Sequence, residues 1–182
     1  MKLQAIKKAC NDRGNYLVLV ANDGRQWLSN GPAAWPVDGI TLTEEAIPAV
    51  FDIPPKKQKE VQIAVREYSD ERFCIEPMND YELPLQEAGR VLIGGTIYLA
   101  LKNDRGLMLI DTDWLKPITS KDGRYTFFER WKHDRQPLVA VYTDFFVGGL
   151  IAPYVGEDAE KKLEVLKEIV YTPVYGHKEE TK

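Results

Sequence analysis

Apolar and polar positions alternate along most of this chain with the period of two that suits strands. A helical period appears in only a few places. Residues 2–10 (KLQAIKKAC) put Leu3, Ile6 and Cys10 on one face and Lys2, Lys7 and Lys8 on others. That spacing predicts a short helix, stopped by Asn11, Asp12 and Gly14. YLVLV (16–20) reads as a buried strand. Asn22-Asp23-Gly24 supplies a turn, because Asp-Gly adopts positive φ at little cost, and RQWL returns as the paired strand. Thr43 followed by Glu44, Glu45 and Ala46 predicts a helix start with a hydroxyl cap and acids at the positive end of the dipole. Ile47, Val50 and Phe51 then face inward, Pro48 sits in the first turns, and Pro54-Pro55 ends the helix. VQIAVREY (61–68) alternates as a half-exposed strand, and FCIE (73–76) could pair with it across Ser69-Asp70-Glu71.

Residues 77–89 (PMNDYELPLQEAG) are polar and broken by proline, the best internal boundary in the chain. Beyond it, TIYLAL, a turn at 103–106, LMLID, RYTFFERW and PLVAVYTDFFVGGLIAPY predict strands, with Asp144 marking a turn in the last. Glu157–Val170 carries an apolar stripe at Ala159, Leu163, Leu166 and Val170 and predicts a helix. From His177 the chain is polar and expected to fray. The pattern predicts an α+β fold, a largely antiparallel sheet built from hairpins, with about three short-to-medium helices on one side. A single domain over 1–182 is expected. An alternative within it is two similar halves, 1–76 and 90–170, joined by 77–89. YLVLVANDGRQWL…AAWPV and IYLALKNDRGLMLIDTDWLKPI share an order: apolar strand, Asn-Asp turn, returning strand, Trp, then Pro and a β-branched residue. Hairpins also converge on such patterns by chance, since few turns fit their twist.

Composition narrows the function classes. Of 182 residues, 44% are hydrophobic and 29% charged, enough apolar material for a core. A net charge of −4 argues against a uniformly basic nucleic-acid binder but leaves room for a local basic face. No apolar run suits a signal peptide or a bilayer span, so a cytoplasmic location and no membrane partner are expected. The two cysteines do not make a disulfide framework.

Candidate chemistry is sparse. Trp35, between two alanines and a proline in LSNGPAAWPVDG, either anchors a loop or faces a ligand. The residue before a proline is held extended, which fixes the direction of the ring. Cys10 lies near the C-terminal end of its helix, where the dipole disfavours a thiolate, and reads as a small core residue. Asp111 and Asp113 alternate on a strand end and point the same way. They could hold a divalent cation, with Asp104 or Asp122 as a third ligand, or simply enter solvent. No HExxH, paired CxxC or Gly-Lys-Ser loop is present, and no cofactor is expected. Gly94-Gly95 and Gly148-Gly149 fall inside strand patterns and suggest bulges or close backbone approach. The basic candidates for phosphate contact are Lys7, Lys8, Lys56, Lys57 and Lys59, the last three in the expected turn PPKKQKE.

Two segments resemble a known family. LTEEAIPAVFDIPPKKQKEVQIAV is similar to the helix-then-strand of bacterial DNA polymerase sliding clamps, and DRQPLVAVYTDFFVGGLIAPY to their last two strands. Together they cover about a quarter of the chain. The resemblance implies repeated helix-and-sheet units in a ring around DNA. It also implies an apolar tail, here Ile151, Pro153 and Tyr154, lining a groove for short peptides of polymerases. SNGPAAWPVDG separately resembles uncharacterised proteins of bacterial mobile elements.

Three functions follow as expectations. The first is a non-enzymatic interaction protein, sliding-clamp-like, that binds a protein and, in its wider form, DNA, through Trp35, Ile151, Pro153 and Tyr154. The second is a metal-dependent enzyme using Asp111 and Asp113. The third is direct nucleic-acid binding through the first helix and the PPKKQKE turn, with Lys7, Lys8, Lys56, Lys57 and Lys59 on one face. For the end of the sheet, Phe145, Val147, Leu150 and Ile151 are expected to form the last core strand, with Pro153-Tyr154 at its rim. The 157–170 helix is expected to fold back over it.

Overall fold

A computed structural model of the chain describes residues 3–67, 75, 82–120, 123–131 and 137–154. The N-terminal helix forms over Leu3–Arg13 (α1) and buries Ile6, Ala9 and Cys10, the apolar face read from the sequence. Gly14, at φ +63°, lets the chain reverse directly into β1 (Asn15–Val20). β1 pairs antiparallel with β2 (Gln26–Ser29), the expected hairpin, with Val20 opposite Gln26. The Asp23 carboxylate accepts the Arg25 amide and Gly24 takes positive φ, so the turn uses both residues foreseen for it.

The next segment corrects the loop reading. Ala33–Val37 is a strand, β3, paired with β2 on one side. On the other side lies β10 (Phe146–Ile151), whose register with β3 covers only Ala33 and Ala34. The missing N–H of Pro36 therefore falls where no ladder bond is required. A short helix follows, α2 (Ile47–Val50). PPKKQKE was expected as a turn, but Pro55–Gln58 forms a helical turn, α3, because a proline in the first turn gives up no needed donor. β4 (Gln62–Glu67) then runs parallel to β1. Among the described strands it ends the order, and the Glu44 carboxylate accepts the Val65 amide at 3.0 Å.

The second part of the sheet begins with β5 (Glu82–Ile93), a long strand with two partners. Glu82–Leu85 pairs with β8 (Thr126–Arg130), and Gln86–Ile93 pairs with β6 (Thr96–Asn103). The register shifts between Glu87 and Gly89, a bulge that bends the strand. Gly94 and Gly95, at φ +57° and +85°, are the two-residue turn between β5 and β6 rather than a bulge within a strand. β7 (Gly106–Asp111) pairs with β6, a 3-10 helix covers Thr112–Leu115, and β9 (Leu138–Thr143) lies between β8 and β10.

Among the described residues ten strands form one sheet in the order β4-β1-β2-β3-β10-β9-β8-β5-β6-β7. All pairs are antiparallel except β1–β4, so the fold is α+β as expected. The first-half strands meet the second-half strands at β3–β10, inside a shared sheet. The sheet curls so that Leu99, Leu101, Met108 and Ile110 of β6–β7 pack with Ile6, Tyr16, Val18 and Trp35 in one core. A second apolar layer lies on the opposite face of β1, β2, β3, β9 and β10, with Ile75 packed in it. A third covers the far face of β5–β7. The strands expected at 73–76 and the helix expected at 157–170 lie outside the described residues, apart from Ile75. Among the described residues no helix is long and apolar enough to cross a membrane.

Candidate interaction surface

The sequence-predicted residues divide sharply by exposure. Trp35 is fully buried, its indole N–H donating to the Trp114 carbonyl at 3.0 Å and the two rings 6.4 Å apart. It is an anchor with no face toward solvent. Ile151 is fully buried in the main core, so it lines no open groove. Pro153 and Tyr154 are half-buried at the rim, as foreseen. The Tyr154 amide donates to the Leu109 carbonyl at 2.7 Å, and its ring meets Tyr98 at 4.9 Å. The tail is thus seated along β7.

Asp111 and Asp113 do not alternate on a strand. Asp111 ends β7, while Asp113 lies in the 3-10 helix, and the Asp111 carboxylate accepts the Asp113 amide at 2.9 Å as a cap. Asp113 holds Lys116 at 2.7 Å. Partial burial pushes the Asp111 carboxyl above its usual range. Both carboxylates line a small cleft of about 90 Å³ with Lys8, Asp12 and Trp114. Two lysines in that cleft, Lys8 and Lys116, oppose cation binding there. Among the described residues no three His, Cys, Asp or Glu side chains converge as metal ligands would. Burial also drives the Cys10 thiol upward, away from nucleophilic use.

The lysines do not share a role. Lys7 bonds Asp52 at 2.8 Å, whereas Lys8 faces the acidic cleft. Lys56, Lys57 and Lys59 are exposed on and after α3. The two α1 lysines thus have acidic neighbours inside the chain.

Among the described residues, the most exposed large apolar side chains were not among the predicted site residues. Phe145 is 92% exposed and Phe146 76%, at the turn between β9 and β10. Leu92, 71%, and Ile97, 49%, flank the Gly94-Gly95 turn between β5 and β6 and sit opposite each other. β8 runs antiparallel to both β5 and β9, so those two strands run the same way. Leu85, Phe127 and Val141 are level across them. From that level β9 turns after two residues, whereas β5 runs on for eight, past its bulge, before the Gly94-Gly95 turn. Phe145 was expected in the core strand. Instead Thr143 pairs with Phe146, leaving Asp144, at φ +55°, and Phe145 as a two-residue turn. The usable signal was Asp144, one of the few residue types that takes positive φ.

Comparison of the chain with protein-family models, with curated proteins and with solved structures gave no match. The site must therefore be read from its own geometry. The tips are backed by rigid structure. Gly148 and Gly149 in β10 are pressed by Ile118, whose Cγ2 would lie 2.6 Å from a Cβ at Gly148. This is the close approach expected of these glycines, and the β9–β10 register shifts at the same place. Below, Arg130 is fully buried on β8, its Nε donating to Glu82 at 2.7 Å while Tyr142 donates to the same carboxylate at 2.9 Å. A paired, hydrogen-bonded ion set of this kind locks β5, β8 and β9 in register. Burial, followed by the bond to Glu82, raises the Tyr142 hydroxyl above its ordinary range.

A larger open cleft of about 550 Å³ lies by the β6–β7 turn, lined by Leu83, Gln86, Lys102, Asn103, Asp104 and Arg105. Asn103 serves the turn, its side-chain Oδ1 accepting the Arg105 and Gly106 amides while its Nδ2 donates to the buried Glu129. The Arg105 guanidinium stacks on Trp131 at 5.7 Å. These groups hold the turn in shape, with cations and acids intermingled.

Proposed function

We propose that this chain works by binding another protein, through the exposed β9–β10 turn. One observation carries the reading: Phe145 stands in solvent on the two-residue β9–β10 turn, with Phe146 beside it at the start of β10, also unburied by the chain. A large aromatic left in water gains nothing for the fold, and apolar side chains of this size are the usual anchors of protein interfaces. The hairpin fixes the backbone that carries both rings, so little backbone ordering is lost on binding.

The resemblance of β9–β10 to the closing strands of sliding clamps is a finer form of this proposal and adds DNA as a second partner. Enzymatic use of Asp111 and Asp113 is the alternative. It ranks below because both carboxylates already have partners within the chain.

The test is capture of a partner from the cells that make this protein, comparing the natural chain with Phe145→Ser/Phe146→Ser. The variant should keep its unfolding midpoint, since both rings are exposed, and lose the partner. A partner retained at full yield would remove these tips from the interface. A labelled duplex titrated at two salt concentrations tests the DNA reading, and affinity that does not fall steeply with salt would speak against phosphate contact.

A further inference from the structure

The sheet opens a cleft where β5 changes partner. Glu82–Leu85 pairs with β8 and Gln86–Ile93 with β6. Gln86 lies opposite Lys102, and β6 ends one residue later at Asn103, so Leu83 and Pro84 have no β6 residue paired with them. The space left is the open cleft of about 550 Å³. β5 supplies Leu83, Pro84 and Gln86 to it, and the β6–β7 turn supplies Lys102, Asp104 and Arg105. Its volume is that of a small-molecule site. None of its lining residues belongs to the β9–β10 turn, so it stands apart from the proposed protein interface.

We infer that this cleft binds a small molecule carrying an oxyanion, a phosphate or a carboxylate, received by the Arg105 guanidinium. Arg105 is exposed, and among the described residues its guanidinium has no carboxylate partner. Its position is nonetheless fixed, over the Trp131 ring at 5.7 Å. Stacking on a ring occupies the flat face of a guanidinium and leaves its in-plane N–H donors open for a bidentate contact. The support beneath comes from Glu129, a carboxylate buried to 1% exposure. One of its oxygens accepts the Trp131 indole N–H, and the other accepts the Asn103 amide. Asn103 in turn holds the Arg105 and Gly106 amides. Both bonds of this buried acid therefore end in groups that place Arg105. An apolar residue at 129 would serve the core with less desolvation, and it would leave the ring and the turn unheld. Gln86 offers an amide donor across the cleft, Lys102 adds positive charge, and Leu83 and Pro84 suit an apolar body on the ligand. Asp104, beside Arg105, limits the negative charge accepted and offers an acceptor to a ligand hydroxyl.

Titration of the full chain with inorganic phosphate, and separately with acetate, at constant ionic strength tests this by ¹H–¹⁵N NMR. At least one anion should give saturable shifts at the Arg105 Nε–H and the Trp131 indole N–H and leave the buried Trp35 indole unmoved. The tighter of the two identifies the oxyanion the site prefers. Arg105→Gln should weaken that binding by about tenfold or more. Arg105→Lys keeps the charge without the planar fork and should weaken it several-fold. Gln86→Ala leaves the turn untouched and should weaken it too. Shifts that stay linear with both anions would overturn the site. Undiminished binding in Arg105→Lys would reduce it to diffuse charge, and undiminished binding in Gln86→Ala would place the anion outside the cleft. Either result would overturn the assignment.

Discussion

The hairpins β1–β2 and β6–β7 start from nearly the same recipe and end differently. Both have an apolar strand, an Asn-Asp turn, a returning strand and a Trp. Yet β1–β2 needs five residues between Val20 and Gln26, whereas β6–β7 needs only Asp104 and Arg105 between Asn103 and Gly106. In the first turn Asp23 caps the chain; in the second Asn103 does. After β2, Asn30 accepts the Ala33 amide and donates to the Ala9 carbonyl of α1, and the chain continues as the strand that carries Trp35. After β7, Asp111 caps a 3-10 helix that carries Trp114. The two tryptophans then meet at the centre of the core. The lesson is that a shared local pattern sets the hairpin, while the residues just after it, Asn30 or Asp111, decide whether the chain stays in the sheet or leaves it.

The sharpest way to break this comparison is at the tryptophans. Trp35→Ala should cost about 3–5 kcal/mol in chemical denaturation, by removing a large buried ring and orphaning the Trp114 carbonyl. Trp114→Ala should cost less, since its ring retains some exposure and its backbone carbonyl still accepts the Trp35 N–H. Equal losses would show that the two exits are energetically interchangeable. Gly148→Ala should cost about 1–3 kcal/mol by overpacking against Ile118, which follows Trp114 out of the second hairpin. Adding Ile118→Ala should recover part of it. A double-mutant cycle between Trp35 and Trp114 should give a ring–ring coupling of about 0.5–1.5 kcal/mol, and a value near zero would reduce their contact to simple burial.

The smallest expected effect concerns pH. Burial raises the Asp111 carboxyl, so the folded chain holds that proton more tightly than the unfolded one. The stability this adds is fully present below the ordinary aspartate range and is lost as pH rises through the folded value. Natural chain and Asp111→Asn should therefore diverge on titrating from neutrality down through that range, with the natural chain gaining relative stability at the acid end. Opposite drift would mean that the cap to Asp113, which favours the charged form, outweighs burial.

Much of the fold was legible because alternation and turn chemistry are local. α1, the β1–β2 hairpin, β4 and β6–β7 follow directly from spacing and from Asp-Gly or Asn-Asp turns. β3 was not legible, since Ala33, Ala34 and Pro36 are poor strand formers and become a strand only because β2 and β10 flank them. α3 was hidden by the habit of reading Pro-Pro as a stop. At the candidate site, the anchoring role of Trp35 could be weighed from its neighbours. The turn beside Phe145 was signalled by Asp144, but the exposure of the ring was missed, because TDFFVGGLI is otherwise continuous in its apolar character and periodicity does not register a two-residue turn inside it. The cap that Asp111 gives Asp113 was equally invisible, since it depends on the backbone leaving the strand at that residue.

The pairing of β3 with β10 also sets a timetable for synthesis. Ala33 and Ala34 leave the ribosome more than a hundred residues before their partners Ile151 and Leu150. During that interval β3 has one open flank, and the apolar side chains around it lack their final neighbours. Contacts this distant along the chain slow folding and prolong exposure to other nascent chains. The middle of the sheet is therefore its last part to close, and a chaperone that shields the β3 edge during translation should raise the yield of folded protein more than one that acts after release.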